Sequence, residues 1–195
     1  MEDVSLPTIF INACLINNFV LSMFLGICPF LGVSGKRETA VRMGLAVIFV
    51  MMVSSICAYG INAVLDHPSV NAPYLKLICY IAVIASAVQL VEMFIKKTSP
   101  ALFKALGIYL PLITTNCAIL GLALFQTSKG YNFLQCLVYA VGGGAGFTLA
   151  LVIMSGLREE LELADVPDVV KGTALTLMLA GILSLAFMGF AGLGG

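Results

Sequence analysis

Tryptophan is absent from this chain, histidine occurs once, and charged side chains make up only 10% of its 195 residues. An average soluble domain is about 25% charged, so the chain cannot cover a water-facing surface with ionised groups. Its 10 basic and 10 acidic residues cancel, which excludes the basic field that gathers nucleic acid. No Cys-x-x-Cys pair occurs, and no cysteine spacing matches a zinc ribbon or a ferredoxin loop. There is no nucleophile–base constellation and no dinucleotide-binding glycine fingerprint. No loop is long enough to form a soluble catalytic domain. The opening MEDVSL lacks the basic start of a signal peptide, so the first apolar segment is expected to be retained.

What remains is apolar: 61% of residues are hydrophobic. Charge-free runs separate Asp3 from Lys36, Arg42 from Asp66, Lys104 from Lys129 and Lys129 from Arg158, and another follows Lys171. Each exceeds the roughly 20 apolar residues that span a bilayer. A further run, 73–95, carries Lys76 near one end and Glu92 near the other. The pattern predicts one polytopic membrane domain over residues 1–195, with six spans at about 6–32, 43–65, 73–95, 105–126, 131–156 and 172–192. Lipid leaves backbone groups no water to bond, and the alternation of a barrel strand is missing, so the spans are helices.

The odd-numbered loops hold eight of the ten basic residues: Lys36, Arg37, Arg42, Lys96, Lys97, Lys104, Arg158 and Lys171. The positive-inside rule puts these loops in the cytoplasm and both termini outside. The stretch REELELADVPDVVK (158–171) reads as a solvated loop with a short interfacial helix, or as a docking surface for a cytoplasmic partner. His67, beside Pro68 in an outward loop, reads as solvated.

Spans one and four carry helix breakers and echo each other. LINN (15–18) resembles LITTN (112–116), and LGICP (25–29) resembles LGIYLP (106–111), although the order is swapped. Matching interruptions in the first span of each three-span half suit an inverted repeat with a site near the midplane. The echoes alone leave that repeat open. Gly26, Pro29 and Gly32 mark an expected break in span one, and Gly107 and Pro111 one in span four. The uncharged run of span one is 32 residues long, more than one straight crossing needs. Asn17, Asn18, Thr114, Thr115 and Asn116 stand ready to satisfy the freed backbone, or to act as interhelical glue.

Six cysteines lie in or beside apolar segments: Cys14, Cys28, Cys57, Cys79, Cys117 and Cys136. Each is by default a small hydrophobe. Cys28 and Cys117 stand apart, because each lies beside a helix breaker or polar turn in spans one and four. Two such thiols can ligate half of a metal cluster if another chain supplies the rest. On unbroken helices the pair would lie at different depths: Cys28 falls near the cytoplasmic end, and Cys117 lies 13 residues, roughly 20 Å, from Lys104. Glu92 and Gln89 are candidates for an ion pathway together with Asn18 and Asn116, each with a structural alternative. The run GGGAG (142–146) sits mid-span with no following lysine, which reads as close helix packing rather than a phosphate loop.

The segments NNFVLSMFLGICPFLGVS, KTSPALFKALGIYLPLITTNCAILG, LREELELADVP and KGTALTLMLAGILSLAFMGFAGL resemble the A-type subunit of the Rnf electron-transport complex. The paralogous E-type subunit of the Na+-translocating NADH:quinone oxidoreductase is the nearest alternative. The resemblance covers essentially the whole chain. It implies an all-α integral membrane protein of six helices in two inverted three-helix repeats, with half-helices in spans one and four. It also implies a homologous partner of opposite topology, the E-type Rnf subunit, within a multi-subunit complex of a bacterial or archaeal plasma membrane. The cysteines of the LGICPF and LITTNCA motifs, Cys28 and Cys117, correspond to half the ligands of a [2Fe–2S] cluster shared with that partner. The remaining cysteines stay structural. The implied activity is a ferredoxin:NAD+ oxidoreductase that moves Na+ or H+, with NAD, flavin and ferredoxin chemistry in other subunits. An intramembrane carrier is useful because the hydrocarbon core is about 30 Å thick. A small secondary transporter without redox chemistry, or a membrane scaffold, is the competing class. The paired thiols distinguish the first reading from both.

Overall fold

The charge-free runs give helices, and the longest of those runs, between Asp3 and Lys36, gives interrupted ones. The computed structural model describes residues 5–65, 73–98, 110–164, 167 and 171–190, and among these every regular element is helical. In chain order they are α1 (Leu6–Ile11) with a continuing π-helical turn (Asn12–Ile16), α2 (Ile27–Val33), α3 (Arg37–Leu65), α4 (Pro73–Thr98), α5 (Leu110–Thr114), α6 (Cys117–Ser128), α7 (Phe133–Glu162) and α8 (Thr173–Met188). Three of them, α3, α4 and α7, are long and apolar enough to cross a membrane by length and composition. Shorter apolar helices run over Leu6–Ile16, Leu112–Ser128 and Thr173–Met188. Two of the three shorter segments adjoin interruptions of the chain.

The 29-residue α3 and the 30-residue α7 form the central pair. Small residues let their axes close in. A Cβ on Gly144 would lie 2.9 Å from the Ile48 Cα, and one on Gly44 would strike Thr148. On another face of α7, a Cβ on Gly142 would lie 3.0 Å from the Phe10 carbonyl oxygen, and one on Gly146 would lie 2.5 Å from that of Cys14. The GGGAG run is therefore a packing surface for α1, the π turn and α3, as its composition suggests.

The outer faces are apolar. Ile78, Leu90 and Phe94 on α4, and Leu177, Met178, Ile182 and Leu185 on α8, are exposed. Patches this extended on a soluble monomer would drive association, whereas hydrocarbon accepts them. In the turn between α6 and α7, the Lys129 ammonium lies 5.6 and 5.2 Å from the ring centroids of Tyr131 and Tyr139. Burial lowers its pKa, and the ring quadrupoles offset part of the cost of holding the charge there.

The stretch beginning at Arg158 continues α7 through Glu162 rather than opening a loop. Arg158 Nη1 donates to the Leu31 carbonyl (3.2 Å) and to Ser34 Oγ (2.9 Å), covering the end of α2. The Glu159 carboxylate accepts the Arg37 N–H (3.0 Å) at the start of α3. These two side chains tie α2 and α3 to one end of α7. Residues 165, 166 and 168–170 of the same stretch, together with His67, lie outside the described residues.

Candidate functional site

The first apolar segment stops being helical after Ile16 and resumes at Ile27. Asn17 Nδ2 bonds Asn12 Oδ1 across the π turn. Residues 17–26 are not in a helix, so their backbone groups need other partners. The Asn18 side chain supplies two of them and ties the stretch to its surroundings. Its Nδ2 donates to the carbonyls of Cys14 (3.0 Å) and Gly146 (2.8 Å), and its Oδ1 accepts the N–H groups of Val20 (3.0 Å) and Leu21 (3.3 Å). All four bonding capacities of this fully buried amide are used. Ser184 of α8 donates to the Leu21 carbonyl (2.7 Å), and the Leu25 N–H reaches the Phe19 carbonyl (2.8 Å). The chain then turns through Gly26, whose φ of 80° is left-handed and costs glycine nothing.

The second interruption is short. Between α5 and α6 lie only Thr115 and Asn116. Asn116 caps α6: its Oδ1 accepts the Ala118 N–H at 3.0 Å. Its Nδ2 is buried and has no hydrogen-bond partner.

The two interruptions meet. The Gly26 N–H donates to Cys117 Sγ at 2.9 Å, across 91 positions of sequence. A Cβ at Gly26 would lie 2.6 Å from the Phe147 ring, 3.2 Å from Asn116 Oδ1 and 3.3 Å from the Ala118 Cβ. The absence of a side chain there lets the Cys28 segment seat against the Cys117 segment. Cys28 is the second residue of α2, and Cys117 is the first of α6. Of the six cysteines these two are exposed, Cys136 is buried, and Cys14, Cys57 and Cys79 are intermediate. The helix breaks, which straight helices would lack, bring the segment before Cys28 into contact with Cys117, and both thiols sit where a half-helix begins. A cavity of about 280 Å³ adjoins Cys117, lined by Ile81, Ile84, Ala85, Thr114, Asn116 and Leu120 among others.

The other expected residues fall as follows. Pro29 is the third residue of α2 and Pro111 the second of α5. A first-turn proline gives up an N–H that has no intrahelical partner, so Pro29 begins a half-helix and does not interrupt one. Gly32 lies inside α2, and Gly107 lies outside the described residues. Glu92 and Gln89 are on α4, half-buried and exposed respectively, and neither of them lines the cavity beside Cys117.

Sequence reasoning missed a second buried polar lock. Ser55 Oγ donates to Gln126 Oε1 (2.7 Å) and contacts the Cys136 carbonyl (3.2 Å), and Gln126 Nε2 donates back to the Ser55 carbonyl (3.0 Å). It fixes α6 to α3 and α7. Polar residues deep inside apolar runs are the only sequence signal for it. Among the described residues no group of three or more His, Cys, Asp or Glu could hold a metal ion. The two thiols fit one half of a shared cluster: they are exposed, they lie at segments in mutual contact, and an N–H already reaches one sulfur.

Apolar outer faces, interrupted helices and paired thiols define an all-helical membrane protein with a site built on its helix breaks. A family model described as "Rnf-Nqr subunit, membrane protein" matches residues 6–194, and the chain belongs to that family. It is 56% identical, over 97% of both chains, to the A-type subunit of the ion-translocating oxidoreductase complex of Syntrophotalea carbinolica. It is 52% identical to the corresponding protein of Sodalis glossinidius over 95% of each chain. It is also 52% identical to the A-type subunit of the Na(+)-translocating ferredoxin:NAD(+) oxidoreductase complex of Acetobacterium woodii, over 97% of this chain and 98% of that one. These relatives bear out the resemblance to the A-type Rnf subunit, and they are components of ion-translocating oxidoreductase complexes.

Proposed function

We propose that this chain is the six-span A-type subunit of an Rnf-type ferredoxin:NAD+ oxidoreductase, in which Cys28 and Cys117 supply half the ligands of a [2Fe–2S] cluster. A homologous subunit of opposite topology supplies the other half, and electron passage is coupled to Na+ or H+ movement. The observation that carries this reading is the exposure of these two thiols alone, at two helix starts joined by the Gly26 N–H to Cys117 Sγ bond. When bound, such a cluster supplies a one-electron carrier within the hydrocarbon layer. This chain's own part is to present two sulfurs on one face and to direct backbone N–H groups toward the negative charge they carry as thiolates. The inverted repeat is supported by the two interruptions, one in each half, which both contain an asparagine and are followed by a cysteine in the first turn of a half-helix.

The test is a purified complex carrying Cys28→Ala or Cys117→Ala, assayed for iron, acid-labile sulfide and the electron paramagnetic resonance signal after dithionite reduction. Each variant is expected to lose one [2Fe–2S] equivalent and electron-coupled ion transport, with the complex still assembled. Retention of that signal in either variant removes the ligand assignment. Absence of any membrane cluster in the intact wild-type complex favours the transporter or scaffold class.

A further inference from the structure

A buried side-chain amide normally finds partners for both its donor and its acceptor. Asn116 is 5% exposed, and its Nδ2 has none. The orientation of the carboxamide is set by its other end, since Oδ1 holds the Ala118 N–H at 3.0 Å as the cap of α6. The unused atom is therefore a donor. It belongs to a residue that lines the cavity beside Cys117 and whose Oδ1 faces Gly26, the residue whose N–H donates to Cys117 Sγ. Leaving such a donor unmet is unfavourable. A cation cannot meet it, because an N–H repels positive charge. Sulfur carrying negative charge can.

The geometry points to Asn116 as a tuning residue of the cysteine site: its Nδ2–H donates a hydrogen bond to sulfur at that site when the site is loaded, alongside the Gly26 N–H. This rests on the cluster reading above. Hydrogen bonds to cluster or cysteinyl sulfur favour the reduced, more negative state and raise the reduction potential. In this role Asn116 combines two functions in one amide. The oxygen starts the half-helix that presents Cys117, and the nitrogen sets how readily the bound centre accepts an electron.

Two measurements on the whole complex test this. Asn116→Ser keeps an oxygen to cap α6 and removes the carboxamide donor. The cluster is expected at full occupancy, with its oxidised-to-reduced ratio at fixed ambient potential raised about tenfold, a fall of 59 mV for a one-electron couple. A merely structural cap would leave that ratio unchanged. The second measurement needs no variant. In wild-type complex grown with asparagine labelled with nitrogen-15 at the side-chain amide, pulsed paramagnetic resonance of the reduced cluster is expected to show a nitrogen-15 coupling. A wild-type cluster signal without that coupling, or with an unshifted ratio in Asn116→Ser, overturns the role of Asn116 and leaves the cluster reading standing. A wild-type complex with no cluster signal overturns both.

Discussion

Asn18 and Asn116 each stand where an apolar helix gives way, and each turns its oxygen onto backbone N–H groups that the break would otherwise orphan. They differ at the nitrogen. Asn18 closes its two donors onto carbonyls of Cys14 and Gly146, inside the bundle. Asn116 closes none. The first interruption takes residues 17–26 to re-route the chain and is held by α7 and α8; the second is two residues long and borders a cavity. The Asn18 amide thus belongs to the architecture, and the Asn116 amide borders the candidate site.

The comparison breaks most sharply at Asn18. Asn18→Ala removes the partner of the Val20 and Leu21 N–H groups and of the Cys14 carbonyl, and a second bond to the Gly146 carbonyl, in a water-free interior. At roughly 1 kcal/mol for each lost bond, the cost is about 4 kcal/mol, a large share of the 5–15 kcal/mol margin of a typical domain. The expected result is failed assembly or a steep fall in the melting temperature of the detergent-solubilised complex. An unchanged melting temperature would show that the first interruption does not depend on that amide.

The closeness that brings Asn18 to α7 is tested at Gly146. A Cβ there would lie 2.5 Å from the Cys14 oxygen and 2.9 Å from Asn18 Nδ2. Gly146→Ala is expected to cost about 1–3 kcal/mol by overpacking. Gly181 of α8 has nothing within 4 Å of a Cβ, so Gly181→Ala should be neutral or gain up to about 1 kcal/mol from helix propensity. Equal melting temperatures for the two variants would contradict the packing of α7 on the π turn.

Much of this was open to sequence reasoning, and the boundary of what was open is instructive. Charge-free runs located the helices because lipid forbids unpaired charge over about 30 Å. GGGAG announced a close approach, and the local context of Cys28 and Cys117 separated them from four cysteines that are more buried. Pro29 starts a half-helix just after the break and is not itself the break, because proline is disruptive inside a helix and harmless in its first turn, and sequence alone does not say which turn it occupies. The bonds from Asn18 to Gly146, Gln126 to Ser55 and Arg158 to Leu31 span 71 to 128 positions. No local pattern encodes such pairings. The asymmetry between Asn18 and Asn116 is of the same kind, since both read simply as polar residues in apolar runs.

A smaller effect is expected at the second break. Asn116→Ala removes one cap bond and also removes an unmet donor, so the two changes partly cancel. The net cost should be under about 1 kcal/mol, near the lower end for loss of an N-cap. A melting temperature close to wild type, beside the collapse expected for Asn18→Ala, would confirm that the two asparagines serve different ends. A loss as large as that of Asn18→Ala would make Asn116 architectural.

The smallest effect concerns a second orphan. Ser54 Oγ, inside α3, is also buried without a hydrogen-bond partner, and Ser54 is fully buried. It differs from Asn116 in its surroundings, since it does not line the cavity beside Cys117. Replacing an unmet hydroxyl by a methyl of similar shape removes a desolvation cost and no bond. Ser54→Ala is therefore expected to leave the melting temperature unchanged or slightly raised, and to leave the cluster's oxidised-to-reduced ratio at wild type. Destabilisation by about 1 kcal/mol or more would mean that the hydroxyl finds a partner in the assembled complex. Unmet atoms in this chain would then be poor guides to its site, and the case for Asn116 would have to rest on the nitrogen-15 coupling alone.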